Sequence, residues 1–249
     1  MMLLLVTFLV LAVGSYLQRV SGMGVGLVAG PVLAVLLGPV EGILVVNVLA
    51  FINAALTTLS VRKNVDWRLF AIIAGALIIG IVPGAWLVTY TSPAWLQVLV
   101  GVLLLVALSV TTFGHRYVPQ VRGTAPAAVA GAVGGFMNTL AGIAGPAITV
   151  YAQAARWEQK SYAATLQPIF MVAGALSFVA KVALGAGDLA GTDWRIWPVG
   201  VLAMLVGLGL GIATADKISK DTARRVALSL AVIGGITAIV RGAASLLGA

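Results

Sequence analysis

The sequence contains no cysteine and a single histidine. Without cysteine there is no disulfide, no thiol chemistry and no thiolate metal site. Charge is also scarce. Only 9% of the 249 residues are Asp, Glu, Lys or Arg, against roughly 25% in a soluble domain. The acidic residues number seven: Glu41, Asp66, Glu158, Asp188, Asp193, Asp216 and Asp221. All fall in or beside the gaps between apolar runs. None lies mid-run, where a sodium site or a carboxylate proton relay needs one, so cation transport is disfavoured. His115 sits in a basic loop. An intramembrane enzyme needs His, Cys or paired carboxylates within its spans. With those missing, no catalytic residue, metal ligand or cofactor is assigned. The net charge of +8 does not signal nucleic acid, because the basic residues occupy short loops between apolar runs, as the positive-inside rule has it.

What the chain has instead is apolar length: 61% of it is hydrophobic. The runs cover roughly 2–17, 25–37, 42–61, 69–89, 93–113, 126–137, 143–155, 161–184, 196–215 and 222–246. Their lengths and spacing predict an all-α polytopic membrane protein set in a lipid bilayer. The N-terminus lacks a basic leader and a small-residue cleavage site, so it reads as a first membrane segment. Four runs are short. At about 1.5 Å per residue, 12 to 16 residues do not cross a hydrocarbon core of about 30 Å.

The short runs flank two glycine-rich breaks. The first is Ser21-Gly22-Met23-Gly24-Val25-Gly26-Leu27-Val28-Ala29-Gly30-Pro31; the second runs from Gly134 through Asn138-Thr139-Leu140-Ala141-Gly142 to Gly145-Pro146. Unwound backbone in a bilayer is tolerated only where protein buries it or where it lines a water-filled cavity. Broken segments in matching places are the sequence sign of a transporter's binding site. Each break is expected to be a short broken or re-entrant helical hairpin.

An internal repeat links the halves. Gly30-Pro31 aligns with Gly145-Pro146, Ala54-Ala55-Leu56-Thr57 with Gly174-Ala175-Leu176-Ser177, and Asp66-Trp67-Arg68 with Asp193-Trp194-Arg195. Gly80 and Gly84 match Gly207 and Gly211, and Ser92 matches Ser219 as a helix N-cap. The offset grows from 115 to 120 to 127 along the chain, which implies insertions near 155–160 and 185–192. Taking each hairpin arm as a segment gives five per half. Odd-numbered loops then hold Arg19, Arg62, Lys63, Arg68, Arg116, Arg122, Arg156, Lys160, Lys217, Lys220, Arg224 and Arg225. Even-numbered loops hold Glu41, Asp188 and Asp193 against Lys181 and Arg195. The segregation predicts both termini outside and, because five is odd, an inverted repeat. Residues 1–113 form the first repeat, 114–124 a cytoplasmic connecting loop and 125–249 the second repeat.

At this point the sequence resembles the sulfite exporter TauE/SafE family of bacterial membrane transporters. The resemblance rests on 22–31 and 134–146, on the repeated segments at Gly80–Gly84 and Gly207–Gly211, and on Thr222-Ala223-Arg224-Arg225-Val226-Ala227-Leu228-Ser229-Leu230. It departs from the family's adjacent glycines at the first break, where Gly22, Gly24 and Gly26 alternate. The resemblance implies sulfite, sulfonates and related small organic anions as substrates, and a bacterial inner membrane as location.

Polar side chains within the runs are the candidate ligands: Gln18, Arg19, Ser21, Asn47, Asn53 and Thr57, then Asn138, Thr139, Gln153, Gln167, Ser177 and Lys181. Asn47 aligns with Gln167, one carboxamide per half. Helices restarting after Gly24 and Gly142 aim positive dipole ends at the breaks, and Arg19 offers a bidentate fork for an oxyanion. The expected substrate-binding set is Arg19, Ser21, Gly22, Gly24, Asn47, Asn138, Thr139, Gly142 and Gln167. Plainer readings stand beside it. Gly80, Gly84, Gly207 and Gly211 read as helix-packing surface. Asn53, Thr57 and Ser177 read as interhelical bonds, Arg19 equally as a loop charge, Lys181 as snorkelling to the outer interface, and Trp67 and Trp194 as interface anchors. Pro83 and Pro168 read as kinks within their spans. The favoured function is export of sulfite or a small organosulfonate anion. The alternatives are import of another small anionic or sulfur-containing solute and a non-transporting membrane scaffold. Oligomeric state is open.

Overall fold

The computed structural model describes residues 1–22, 25–113, 120–214 and 217–248. Among these residues every regular element is helical: α1 (Met2–Ser21), α2 (Val25–Leu36), α3 (Pro39–Val61), α4 (Trp67–Tyr90), α5 (Pro93–Phe113), α6 (Ala125–Ala141), α7 (Gly145–Ala154), α8 (Gln159–Ala183), α9 (Ile196–Thr214) and α10 (Lys220–Leu247), with a 3-10 turn at Arg62–Asn64. The helices α1, α3, α4, α5, α8, α9 and α10 are long and apolar enough to cross a membrane. The 12 residues of α2 and the 10 of α7 rise only about 18 and 15 Å.

The first run is longer than its hydropathy suggested. α1 continues through Gln18 and Arg19 to Ser21, a full 20 residues. Polar side chains do not interrupt a backbone ladder; the helix stops where Gly22 turns left-handed, φ 85, and its N–H caps the Gln18 carbonyl at 2.9 Å. α6 stops in the same way. Gly142 has φ 72, and its N–H reaches the Asn138 carbonyl at 2.8 Å.

Helix starts follow the expected chemistry. Asp66 accepts from the Leu69 amide at 2.9 Å, Ser92 from Trp95 at 3.4 Å, and Ser219 from Thr222 at 3.1 Å. Glu158 caps α8 by accepting from the Lys160 and Ser161 amides, and those bonds hold its carboxyl below the usual range. Trp67 and Trp194 are exposed beside their helix starts. Pro83 and Pro168 lie inside α4 and α8.

Four helix pairs build the bundle: α1 on α9, α4 on α6, α3 on α8, and α5 on α10. Glycines set the distance in the first two. A Cβ on Gly80 would lie 2.6 Å from the Phe136 amide, and one on Gly84 3.1 Å from the Thr139 Cβ. Across α9 and α1, a Cβ on Gly207 would lie 3.0 Å from the Ser15 Cβ, and one on Gly211 2.8 Å from the Arg19 Cβ. These glycines are packing surface. α7 folds back along α6, because the Val121 amide just before α6 donates to the Ala154 carbonyl at the end of α7, 3.1 Å away.

The Gly-Pro pairs are not equivalent. Pro31 lies inside α2, whereas Pro146 sits in the first turn of α7. The glycines that end α1 and α6 are instead 120 positions apart, as are Pro39 and Gln159, which open α3 and α8. Trp67 and Ile196, which open α4 and α9, are 129 positions apart.

Candidate functional site

The two helix breaks touch inside the bundle. Gly26, in the first turn of α2, packs on the carbonyl of Gly142, so that a Cβ there would overlap the carbonyl oxygen and lie 3.3 Å from its carbon. Only a glycine at position 26 allows this approach.

One turn before each terminating glycine stands a carboxamide. Gln18 Nε2 donates to Gln167 Oε1 at 3.0 Å, and Gln18 Oε1 accepts from the Val25 amide that restarts the chain as α2, at 3.2 Å. Asn138 Nδ2 donates to Asn47 Oδ1 at 3.3 Å, to the Ala173 carbonyl at 3.1 Å and to Ser177 Oγ at 3.0 Å. The first contact ties α1 to α8 and the second ties α6 to α3. Gln18 and Asn138 are 120 positions apart, and so are Asn47 and Gln167. All four side chains are buried. Asn47 Nδ2 is buried and has no partner among the described residues.

Between the breaks lies a cavity of about 40 Å³, lined by Gln18, Gly26, Ala50, Asn138, Gly142 and Phe170 among others. A single water needs roughly 10–15 Å³, so the cavity has room for a solute of a few heavy atoms. No carboxylate is among its described lining residues. The walls offer amide donors and the first turns of α2 and α7, which suit an anion.

A second cavity, about 560 Å³, lies at the end of the molecule where α8 and α10 begin. Ser21, Gln153, Arg156, Tyr162, Lys220 and Arg224 line it, with Asp221 as its described acid. Arg156 has a left-handed backbone, φ 51, a conformation uncommon for arginine. Gln153 Oε1 is buried without a partner among the described residues.

The expected ligands divide. Asn138 and Gly142 line the central cavity; Asn47 and Gln167 bond its carboxamides. Gly22 shapes the first break, and Thr139 stands behind the second with its hydroxyl 3.0 Å from Ser177 Oγ. Ser21 faces the larger, basic cavity. Arg19 lays its stem on Gly211 of α9 and is not among the described residues lining either cavity. Gly24 lies outside the described residues. Lys181 does not snorkel. It is fully buried, and its Nζ donates to the Thr139 carbonyl at 3.0 Å. Gln18 was visible as a polar residue at a break, but the apolar Ala50 and Phe170 and the small Gly174 carry no sign of lining a cavity.

The sequence profile of the family described as "Sulfite exporter TauE/SafE" matches residues 6–238. The chain belongs to this family. Seven helices of spanning length among the described residues are in keeping with a TauE/SafE protein that passes the membrane several times. A relative from Cupriavidus necator, described as "Probable sulfite/organosulfonate exporter TauE", is 28% identical over 141 residues. That match spans 55% of this TauE/SafE chain and 55% of the relative, about half the length of each. No solved structure matches the chain.

Proposed function

We propose that the protein exports sulfite or a small organosulfonate anion across the bacterial inner membrane through the cavity between the two breaks. The observation that carries the reading is the crossed pair of carboxamide contacts, Gln18 with Gln167 and Asn138 with Asn47, around a small cavity whose described walls hold no acid. Neutral donors and helix N-termini hold an oxyanion without binding it too tightly to release.

The same contacts support an inverted repeat of residues 1–113 and 125–249, joined by a cytoplasmic loop at 114–124, of which 114–119 lie outside the described residues. Exchanging α1–α5 with α6–α10 turns each carboxamide contact into the other and the α1–α9 pair into the α6–α4 pair. In this reading both termini are outside, the hairpins α1–α2 and α6–α7 enter from opposite faces, and the basic cavity is a cytoplasmic vestibule that concentrates anions. Rocking of one half against the other exposes the central cavity to each side in turn. A potential negative inside drives each anion charge outward by about 2.3 kcal/mol per 100 mV, so no coupling ion is required.

The test is efflux of sulfite and sulfoacetate from proteoliposomes with the potential clamped. Efflux should rise with the imposed potential and fall in Asn138→Leu, which removes a carboxamide from the cavity wall. Efflux indifferent to potential and pH would remove the driving force proposed. No flux of either anion would favour another solute or a scaffold.

A further inference from the structure

Lys181 takes no part in the cavity just described. It lies in the last turn of α8, fully buried, with the Thr139 carbonyl as its partner at 3.0 Å. No carboxylate pairs with it among the described residues. A lysine stem near a helix end can normally carry its ammonium to the membrane surface, so this burial is not forced by position. An ammonium has three donors, and one carbonyl satisfies one of them. A buried cation without a counter-charge is costly, and inside a membrane such a group marks an ion's path.

Its surroundings continue the central site. Ser177 lies one turn back along α8 and contacts both Asn138 Nδ2 and Thr139 Oγ1 at 3.0 Å. Gly174, a turn earlier again, lines the central cavity. Ser177 and Lys181 thus face Asn138 and Thr139 of α6, on the same helix whose Gly174 packs against Asn47 of α3. Lys181 stands about 10 Å beyond the cavity along the helix. The basic cavity lies at the opposite end of α8, beside Gln159. The positions 120 residues earlier are Thr57 and Val61, so the first half has no such cation.

We propose that Lys181 is a second anion-binding station and gate on the far side of the central cavity. Its ammonium rests on the Thr139 carbonyl when the station is empty and leaves it to bind a small oxyanion, sulfite or a sulfonate, moving out of the cavity. The proposal rests on the anion-transport reading and deepens it.

The natural absence of cysteine makes the test clean. Lys181→Cys places one thiol in the full chain, reconstituted in proteoliposomes. A negatively charged sulfonatoethyl thiosulfonate, added from water and followed by intact mass, should label it. Sulfite efflux should fall at least about tenfold, the loss expected for one charge-assisted hydrogen bond. Alkylation by 2-bromoethylamine, which installs an ammonium through a sulfite-resistant thioether, should restore efflux. Iodoacetamide, which adds a neutral group, should not. Lys181→Met covers the case in which the thiol variant fails to fold. It should keep the wild-type melting temperature or exceed it while losing efflux to the same degree. A thiol closed to the anionic reagent, or wild-type efflux in either variant, would overturn the proposal. If the wild-type protein moved neither sulfite nor sulfoacetate, the transport reading would fail separately. Labelling would still decide whether position 181 lies on a route open to anions.

Discussion

At the first break, Gln18 reaches Gln167 and also grips the Val25 amide, so one side chain closes both the contact to α8 and its own turn. At the second break, Asn138 is shorter and leaves its own turn alone. It spends its amide on Asn47, Ser177 and the Ala173 carbonyl. The backbone frames agree: a left-handed glycine, a short returning helix and a carboxamide one turn upstream. The side-chain surroundings do not. The first break is locked on itself, while the second opens into a polar stripe that ends at Lys181. In the inverted-repeat reading proposed above, the shared frame places a cavity between two like tips, and the difference around one tip gives transport a direction.

The largest effect should come from breaking the contact that joins the two frames. Gly26→Val drives a branched side chain into the Gly142 backbone. Overpacking of this kind costs about 1–3 kcal/mol and more where backbone is struck, so the variant should show a strongly lowered melting temperature in detergent. A wild-type melting curve would mean that the breaks do not touch.

Next comes the difference between the carboxamides. Asn138→Leu strands several buried partners, and each unsatisfied group costs about 1–3 kcal/mol. Gln18→Leu strands fewer and should be the milder change by thermal melting. Equal losses would erase the asymmetry drawn above.

A smaller effect is the coupling within each pair. Double-mutant cycles on Gln18 with Gln167, and on Asn138 with Asn47, should each give about 0.5–3 kcal/mol. The mismatched pair Gln18 with Asn47, which share no hydrogen bond in the structure, should give near zero. Coupling in the mismatched pair and none in the others would break the crossed arrangement.

The smallest effect is acid sensitivity at a helix start. Glu158 caps α8, whereas α3 starts on Gly38 with no side-chain cap. The Glu158 carboxyl sits below its ordinary value of 4.5 in the folded protein because amides bond its charged form. Its stabilising contribution is therefore present above that ordinary value and is lost as pH falls through the lowered one. Hydrogen exchange in the first turn of α8 should accelerate over that acid range, with no matching change at the start of α3, and Glu158→Gln should abolish the difference.

Much of this architecture is legible in the residues. Long apolar runs mark the spans, helix caps at Ser92 and Ser219 mark two of the starts, and the carboxamides of Asn47 and Gln167, singled out in the sequence, each bond a carboxamide at one of the breaks. Other features are hidden for physical reasons. The length of α1 is masked because hydropathy falls at Gln18 and Arg19 while the backbone ladder continues. Arg19 follows Gln18 directly, but successive helical residues point about 100° apart; one faces α8 and its neighbour faces α9. Gly30-Pro31 resembles Gly145-Pro146 in letters, yet one pair lies within a helix and the other opens one. Lys181 resembles any lysine near a helix end, and only packing by α6 shows that it is enclosed.

The most direct measurement is a titration of sulfite, at constant ionic strength, against the melting temperature of wild-type protein, Gln18→Leu and Asn138→Leu. A ligand bound only by the folded state must raise that temperature. The account predicts a sulfite-dependent rise in the wild type that either substitution alone removes, because one anion is held by both breaks. A rise that survives in both variants would contradict a shared site between them.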